Sequence, residues 1–249
     1  MSPEVFVQQL RSVMTDNKFS RMIGSRLNGE LDQRKMWRAS TGAKNVFRQE
    51  AARKGKEYSV VLLLDESGSM GGNKYDVARE TTIEMAKALA RAGVDTAIIG
   101  FNCRLLVHKK FGEKFDQAKL TEELREANTV RATNHSRGTH YYAGNHNYAA
   151  LEAGYKMLSS KKYGKIMLHI SDGHPTCDYP EDCKYDQKLH RKANLKALTS
   201  KHPEVLDIGV GIYDTSVLPD IHDEVIEIRG MSEFKPLLIN VLKKHIRRG

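Results

Sequence analysis

At 249 residues the chain has room for one α/β domain of about 180–200 residues plus an extension, or for two small domains. A hydrophobic share of 40% suits a soluble globular protein, and no apolar run approaches the roughly 20 residues of a membrane span. The formal charge of +9 is uneven: residues 1–57 hold 12 Lys+Arg against 6 Asp+Glu, and the rest 28 against 25. The basic part is therefore N-terminal; it is either a solvated face or a surface for nucleic acid or an acidic partner. MSPEVFVQQLRSVMTD has no apolar h-region and no small-residue cleavage site, so no secretory signal is expected. Three cysteines cannot all pair within the chain, which favours a reduced, cytoplasmic protein without a membrane partner.

In chain order, Pro3 to Met14 reads as an amphipathic helix, with Val5, Phe6, Leu10 and Val13 at helical spacing. A Gly/Asn-punctuated stretch, Ile23 to Asp32, and a basic segment around Trp37 follow; packing against the domain is the expected role of that indole, with stacking on a base or anchoring a partner beside Arg34, Lys35 and Arg38 as the alternative. From Tyr58 the pattern changes. Ser59–Leu64 is a continuous apolar run, as in a strand buried on both faces of a parallel sheet. Lys74–Ala92 is helical and stops at Gly93. Asp95–Phe101 and Arg104–His108 are strands joined by only Asn102-Cys103, so they must pair antiparallel. Phe115–Glu126 is a helix, and Asn128–Asn147 is expected as a long polar loop. Further elements are a helix over Asn147–Leu158, a strand over Lys165–Ile170 and a helix over Gln187–His202. Strands over Val205–Ile212 and Glu224–Ile228 come next, then a last helix over Ser232–Arg247 with Ser232 as N-cap. Alternating strands and helices predict a doubly wound, mostly parallel α/β sheet with one antiparallel edge strand over residues 58–249, preceded by a basic extension, 1–57.

Asp65-Glu-Ser-Gly-Ser-Met70 follows the first buried strand directly. In a doubly wound sheet ligands bind beyond the carboxyl ends of the strands, so Asp65, Ser67 and Ser69 stand in the expected site. A carboxylate and two hydroxyls supply part of the oxygen shell that Mg²⁺ requires. Ser171-Asp172-Gly173 follows a second buried strand and brings Asp172 to the same edge.

Asp-x-Ser-x-Ser after a buried strand, with Ser-Asp-Gly after a later one, resembles the metal-ion-dependent adhesion site of von Willebrand factor A domains. The resemblance covers residues 58–247. Leu27-Asn-Gly-Glu-Leu-Asp-Gln-Arg34, Val205-Leu-Asp-Ile-Gly-Val-Gly211 and Val225-Ile-Glu-Ile228 narrow it to the C-terminal part of the cobaltochelatase subunit CobT. The family implies a non-catalytic, Mg²⁺-dependent adaptor working with a MoxR-type AAA+ ATPase, as in the CobT/CobS pair. A chelatase component and an RNA-binding A-domain protein are the alternatives. No long acidic region of the kind that precedes the domain in full-length chelatase subunits is present, which favours the adaptor over cobalt insertion. In the family's site Ser67 and Ser69 would bind the metal directly, Asp65 and Asp172 mainly through waters, and a partner's carboxylate would take an open position.

The family's third loop carries a threonine before a helix. Counting back from Ala150-Leu151 puts Asn145 there; Asn147 and Thr139 are the alternatives. An amide oxygen is an acceptable Mg²⁺ ligand, and a neutral one leaves the site more electrophilic toward an incoming Glu or Asp. His174, Cys177 and Cys183 lack a usual zinc spacing. No Gly-x-Ser-x-Gly elbow and no Gly-x₄-Gly-Lys-Ser/Thr phosphate loop is present, so neither hydrolase chemistry nor ATP hydrolysis is expected.

Overall fold

A computed structural model describes residues 1–15, 21–26, 30–51, 58–136, 144–162, 164–172, 192–213, 215 and 218–246. These form two compact units, one of residues 1–13 with 58–249 and one of residues 14–57. The N-terminal helix α1 (Pro3–Thr15) thus groups almost entirely with residues 58–249 rather than with the remainder of the extension.

The smaller unit is a three-stranded antiparallel sheet. β1 (Arg21–Arg26) and β2 (Glu30–Leu31) flank β3 (Phe47–Ala51). Between β2 and β3 lie a 3₁₀ turn, Gln33–Lys35, and a short helix α2 (Met36–Ala39). The Asp32 side chain accepts from the Arg34 N–H at 3.2 Å and caps the turn. No strand was expected here, because pieces this short and polar leave no periodic trace.

The larger unit contains β4 (Tyr58–Asp65), α3 (Asn73–Ala92), β5 (Asp95–Phe101), β6 (Leu105–Lys109), α4 (Gln117–Ser136), α5 (Asn147–Ser159), β7 (Gly164–Ser171), α6 (Lys192–Thr199), β8 (Val205–Ile212), β9 (Glu224–Ile228) and α7 (Met231–Ile246). The six strands order as β6-β5-β4-β7-β8-β9, all parallel except β6, which pairs antiparallel with β5. This is the doubly wound sheet with one antiparallel edge strand that the pattern predicts. Successive side chains of a strand alternate between faces. Val61, Leu63, Ala97 and Ile99 accordingly share a core with Leu151 and Tyr155 of α5, while the alternate positions of β4 face the other layer. There α3 contacts β4 and β5, and α7 contacts β9 and α3. α1 buries Phe6, Leu10 and Val13, and its Arg11 guanidinium donates to the Arg91 carbonyl at 2.6 Å, near the end of α3. Gly93 ends α3 in the left-handed conformation at φ 79°, where a side chain would be strained.

Two expectations fail. Residues 128–136 are not loop but the continuation of α4. Leu120 and Leu124 are its buried anchors, and a polar continuation shows no apolar period to read. Ser232 is not an N-cap: α7 begins at Met231, and Glu233 reaches back to accept the Arg229 N–H at 3.0 Å. Residues 187–191 lie outside the described residues.

Candidate metal site

Strand order reverses between β4 and β7, since β5 and β6 lie to one side of that pair and β8 and β9 to the other. Ligands bind at such a switch point. Asp65 closes β4 and Ser171 closes β7, one register step beyond the Leu64–Ile170 pair. Their side chains meet: Ser171 Oγ donates to Asp65 Oδ2 at 2.6 Å. Asp65 Oδ1 accepts the Ser67 N–H at 2.9 Å, and Oδ2 also accepts from Asn145 Nδ2. One buried carboxylate thereby ties three loops together.

Ser67 Oγ and Ser69 Oγ are 3.0 Å apart, and Ser69 Oγ donates to Asp172 Oδ1 at 3.2 Å. The turn Gly68–Met70 that carries Ser69 leads through Gly72 into α3; Gly72 adopts φ 69° and ψ −138°, a conformation that side chains resist. From the first turn of α3, Lys74 Nζ donates to Asp172 Oδ2 at 3.1 Å. Asp65, Ser67, Ser69, Asn145 and Asp172 are thus brought together. Asn147 is also buried, but its Oδ1 is engaged by His169. Thr139 lies outside the described residues, as do His174, Cys177 and Cys183.

The electrostatics of the cluster are those of a site short of positive charge. Burial, and then the Asp172 charge, push the Asp65 carboxyl up to about 7 against the bonds from Ser171 and Ser67. Asp65 and Asp172 are both buried, and the cation paired with Asp172 is the half-exposed Lys74. Asn145 Nδ2 must face the Asp65 carboxylate, which leaves its Oδ1 buried with no hydrogen-bond partner among the described residues. An unmatched buried acceptor is costly. A hard divalent cation supplies both the missing partner and the missing charge, so the residues fit one. Among the described residues no three His, Cys, Asp or Glu side chains cluster to hold a metal, so any shell here depends on hydroxyl and amide oxygens.

Several residues escaped sequence reasoning. Glu66, within the motif, is buried with Oε1 2.9 Å from His108 Nε2 of β6. His169 of β7 is neutral, its value pushed down to about 3 by burial and by His222. Asn147 Oδ1 can only accept, so His169 Nε2–H donates to it at 3.0 Å, and His169 Nδ1 accepts from His222 Nε2 at 2.8 Å. His222 Nδ1 lies 3.0 Å from Asp207 Oδ1, and Tyr155 OH donates to Asp207 Oδ2. Burial pushes Asp207 up, but His222, Tyr155 and His169 outweigh it and hold the carboxyl below its ordinary value. The available signal was one histidine in β6, one in β7 and one shortly before β9, and none of them names a partner.

Residues 46–134 match the family described as the cobalamin biosynthesis protein CobT VWA domain. That span includes Asp65, Ser67 and Ser69 but neither Asn145 nor Asp172. Among solved structures the fold is similar to the vWF domain of the type V pilus tip protein Mfa5 from Porphyromonas gingivalis (TM-score 0.53, 11% identity, covering 76% of this chain and 95% of that one). The fold is that of a von Willebrand factor A domain, and residues 46–134 resemble the VWA domain of CobT. BatB from Bacteroides thetaiotaomicron shares the A-domain fold at TM-score 0.51 and 12% identity, covering 78% of this chain and all of that one. Proximal thread matrix protein 1 of the mussel byssus gives 0.52 and 14%, over 75% of this chain and 47% of its own. A longer, three-domain Mfa5 structure is spanned over 20% of its length. At these identities the likeness concerns the A-domain fold alone. No helix among the described residues is long and apolar enough to cross a membrane.

Proposed function

We propose that the A domain is an adaptor that holds Mg²⁺ among Ser67, Ser69, Asn145, Asp65 and Asp172 and grips a partner protein through it. The observation that carries this is the buried, unpartnered Asn145 Oδ1 beside two buried carboxylates. Ser67, Ser69 and Asn145 would offer neutral oxygens, while Asp65 and Asp172 hold the surrounding hydroxyls and waters in place. When bound, the cation supplies a Lewis-acid position for an incoming Glu or Asp. Neutral donors leave the cation's charge less quenched than a third carboxylate would, which favours such an anion. Among the described residues Ser69 turns to Asp172, and His169 and His222 bond to Asn147 and to each other rather than to either serine, which supports a binding role over nucleophilic catalysis.

The likeness to CobT supports an ATPase of the MoxR type as the partner, and it equally motivates a second reading, a chelatase component. The test is capture of host proteins by this chain with Mg²⁺ or with EDTA, beside an Asp65→Ala/Ser67→Ala variant. Retention of an AAA+ ATPase only with Mg²⁺ and intact side chains is expected. Equal retention under all three conditions removes the metal from the contact. Dependence of that complex on an added tetrapyrrole favours the chelatase reading.

A further inference from the structure

We propose that the smaller unit, residues 14–57, binds single-stranded nucleic acid, with Trp37 as the stacking platform. This unit carries 11 Lys+Arg against 5 Asp+Glu, a net of +6 out of the chain's +9. Trp37 does not pack in a core, as its expected role required: 69% of it is exposed. Leaving so large an indole in water is unusual unless it meets a partner.

The turn that presents Trp37 is fixed on both sides. Asp32 caps it and donates its own N–H to the Val46 carbonyl at 2.9 Å; Ser40 Oγ and Thr41 Oγ1 close it by donating to the Trp37 and Arg38 carbonyls at 2.6 and 2.8 Å. Arg38 lies 5.6 Å from the indole centroid. Arg34, Arg38 and Lys44 are exposed, and none is ion-paired among the described residues. A rigid aromatic face among unneutralised guanidinium and ammonium groups matches alternating bases and phosphates: bases stack, phosphates pair. A duplex fits the Trp37 turn less well, because α2, which carries the indole, is only four residues long and cannot lie along a major groove as a recognition helix.

Trp37 is the only tryptophan, so its emission reports this surface alone. The experiment titrates the full chain with a short single-stranded oligouridylate and follows indole fluorescence across a salt series. Saturable quenching is expected, with a log K against log[salt] slope of about −2 for three phosphate contacts. By anisotropy of the labelled oligomer, Trp37→Ala should weaken binding roughly 5- to 100-fold and Trp37→Phe should retain most of it. Arg34→Ala/Arg38→Ala should flatten the salt slope, and Asp65→Ala should change nothing, which separates this inference from the metal-dependent grip. Absence of quenching overturns it. So does equal quenching by polyglutamate, which would place an acidic protein on the surface, or equal quenching by a duplex.

Discussion

Asp65 sets both the assembly of the site and its pH response. In the metal-free chain its carboxyl is raised to about 7, against an ordinary value of 3.8. Between those values the folded chain retains a proton that the unfolded chain has lost, so this residue's contribution to stability falls as pH rises from about 4 to about 7. The loss amounts to at most roughly 4 kcal/mol. Asp95, Asp207 and Glu224, all lowered, act in the opposite direction and lose stability toward acid. The effect must therefore be read as a difference. In EDTA, urea unfolding of the native chain should lose stability relative to Asp65→Asn between about pH 4 and about pH 7; a pH-independent difference refutes the assignment. The contiguous half of the site, Asp65 to Ser69, was legible because neighbouring residues on one strand-end loop must travel together. Asn145 was one of three alternatives, since the sequence does not say which amide a distant carboxylate will orient; of the other two, Asn147 is engaged by His169 and Thr139 lies outside the described residues. The orphaned oxygen of Asn145 is a property of the fold, not of any motif.

At the scale of elements, two buried polar assemblies brace the strands that carry the loops. Glu66 and His108 join β4's end to the edge strand β6, and Gly100 of β5 makes room for them: a Cβ there would lie 2.5 Å from the Glu66 carboxyl carbon and from His108 Nε2. Gly100→Ala is expected to cost about 1–3 kcal/mol in chemical denaturation, the usual range for overpacking, and to weaken Mg²⁺ binding because Glu66 sits between Asp65 and Ser67. The second assembly links α5, β7 and β8 through Tyr155, Asp207, His222, His169 and Asn147. His222→Ala removes the ring beside Asp207 and the donor to His169 together, and should cost about 1–3 kcal/mol. Tyr155→Phe, which leaves one Asp207 oxygen unmatched, should cost about 1–3 kcal/mol. A His222→Ala protein as stable as the native chain would show that this array is not braced as drawn. Strand and helix positions around these groups were readable from apolar runs and Gly93. The groups themselves were not, because a histidine in a strand has the same sequence appearance whether it meets water, another ring or a carboxylate.

Across the whole molecule, charge and packing divide the N-terminal region differently. The charge excess lies in residues 14–57, yet α1 belongs with the A domain, where Phe6, Leu10 and Val13 are buried. Composition shows only the first division, since a basic extension and a core helix can occupy one continuous stretch of chain. The difference decides what a truncation measures. A fragment of residues 58–249 loses the four buried apolar side chains of residues 1–13, Phe6, Val7, Leu10 and Val13, worth about 1.5–3 kcal/mol each, a large share of the roughly 5–15 kcal/mol that stabilises a domain. At about 2–4 °C per kcal/mol for a domain of this size, its Tm should fall by roughly 10 °C or more, and Phe6→Ala in the full chain should fall in the same direction by about 3–5 kcal/mol. Saturating Mg²⁺ should restore part of the loss, by about 2.7 kcal/mol at one hundred times Kd, and should restore none of it in an Asp65→Ala/Ser67→Ala background. Thermal scans of the full chain, the fragment and both variants, with Mg²⁺ and with EDTA, separate the helix from the metal. Equal Tm values for the fragment and the full chain would show that α1 is dispensable to the domain, and the core drawn around Phe6 and Leu10 would then be wrong.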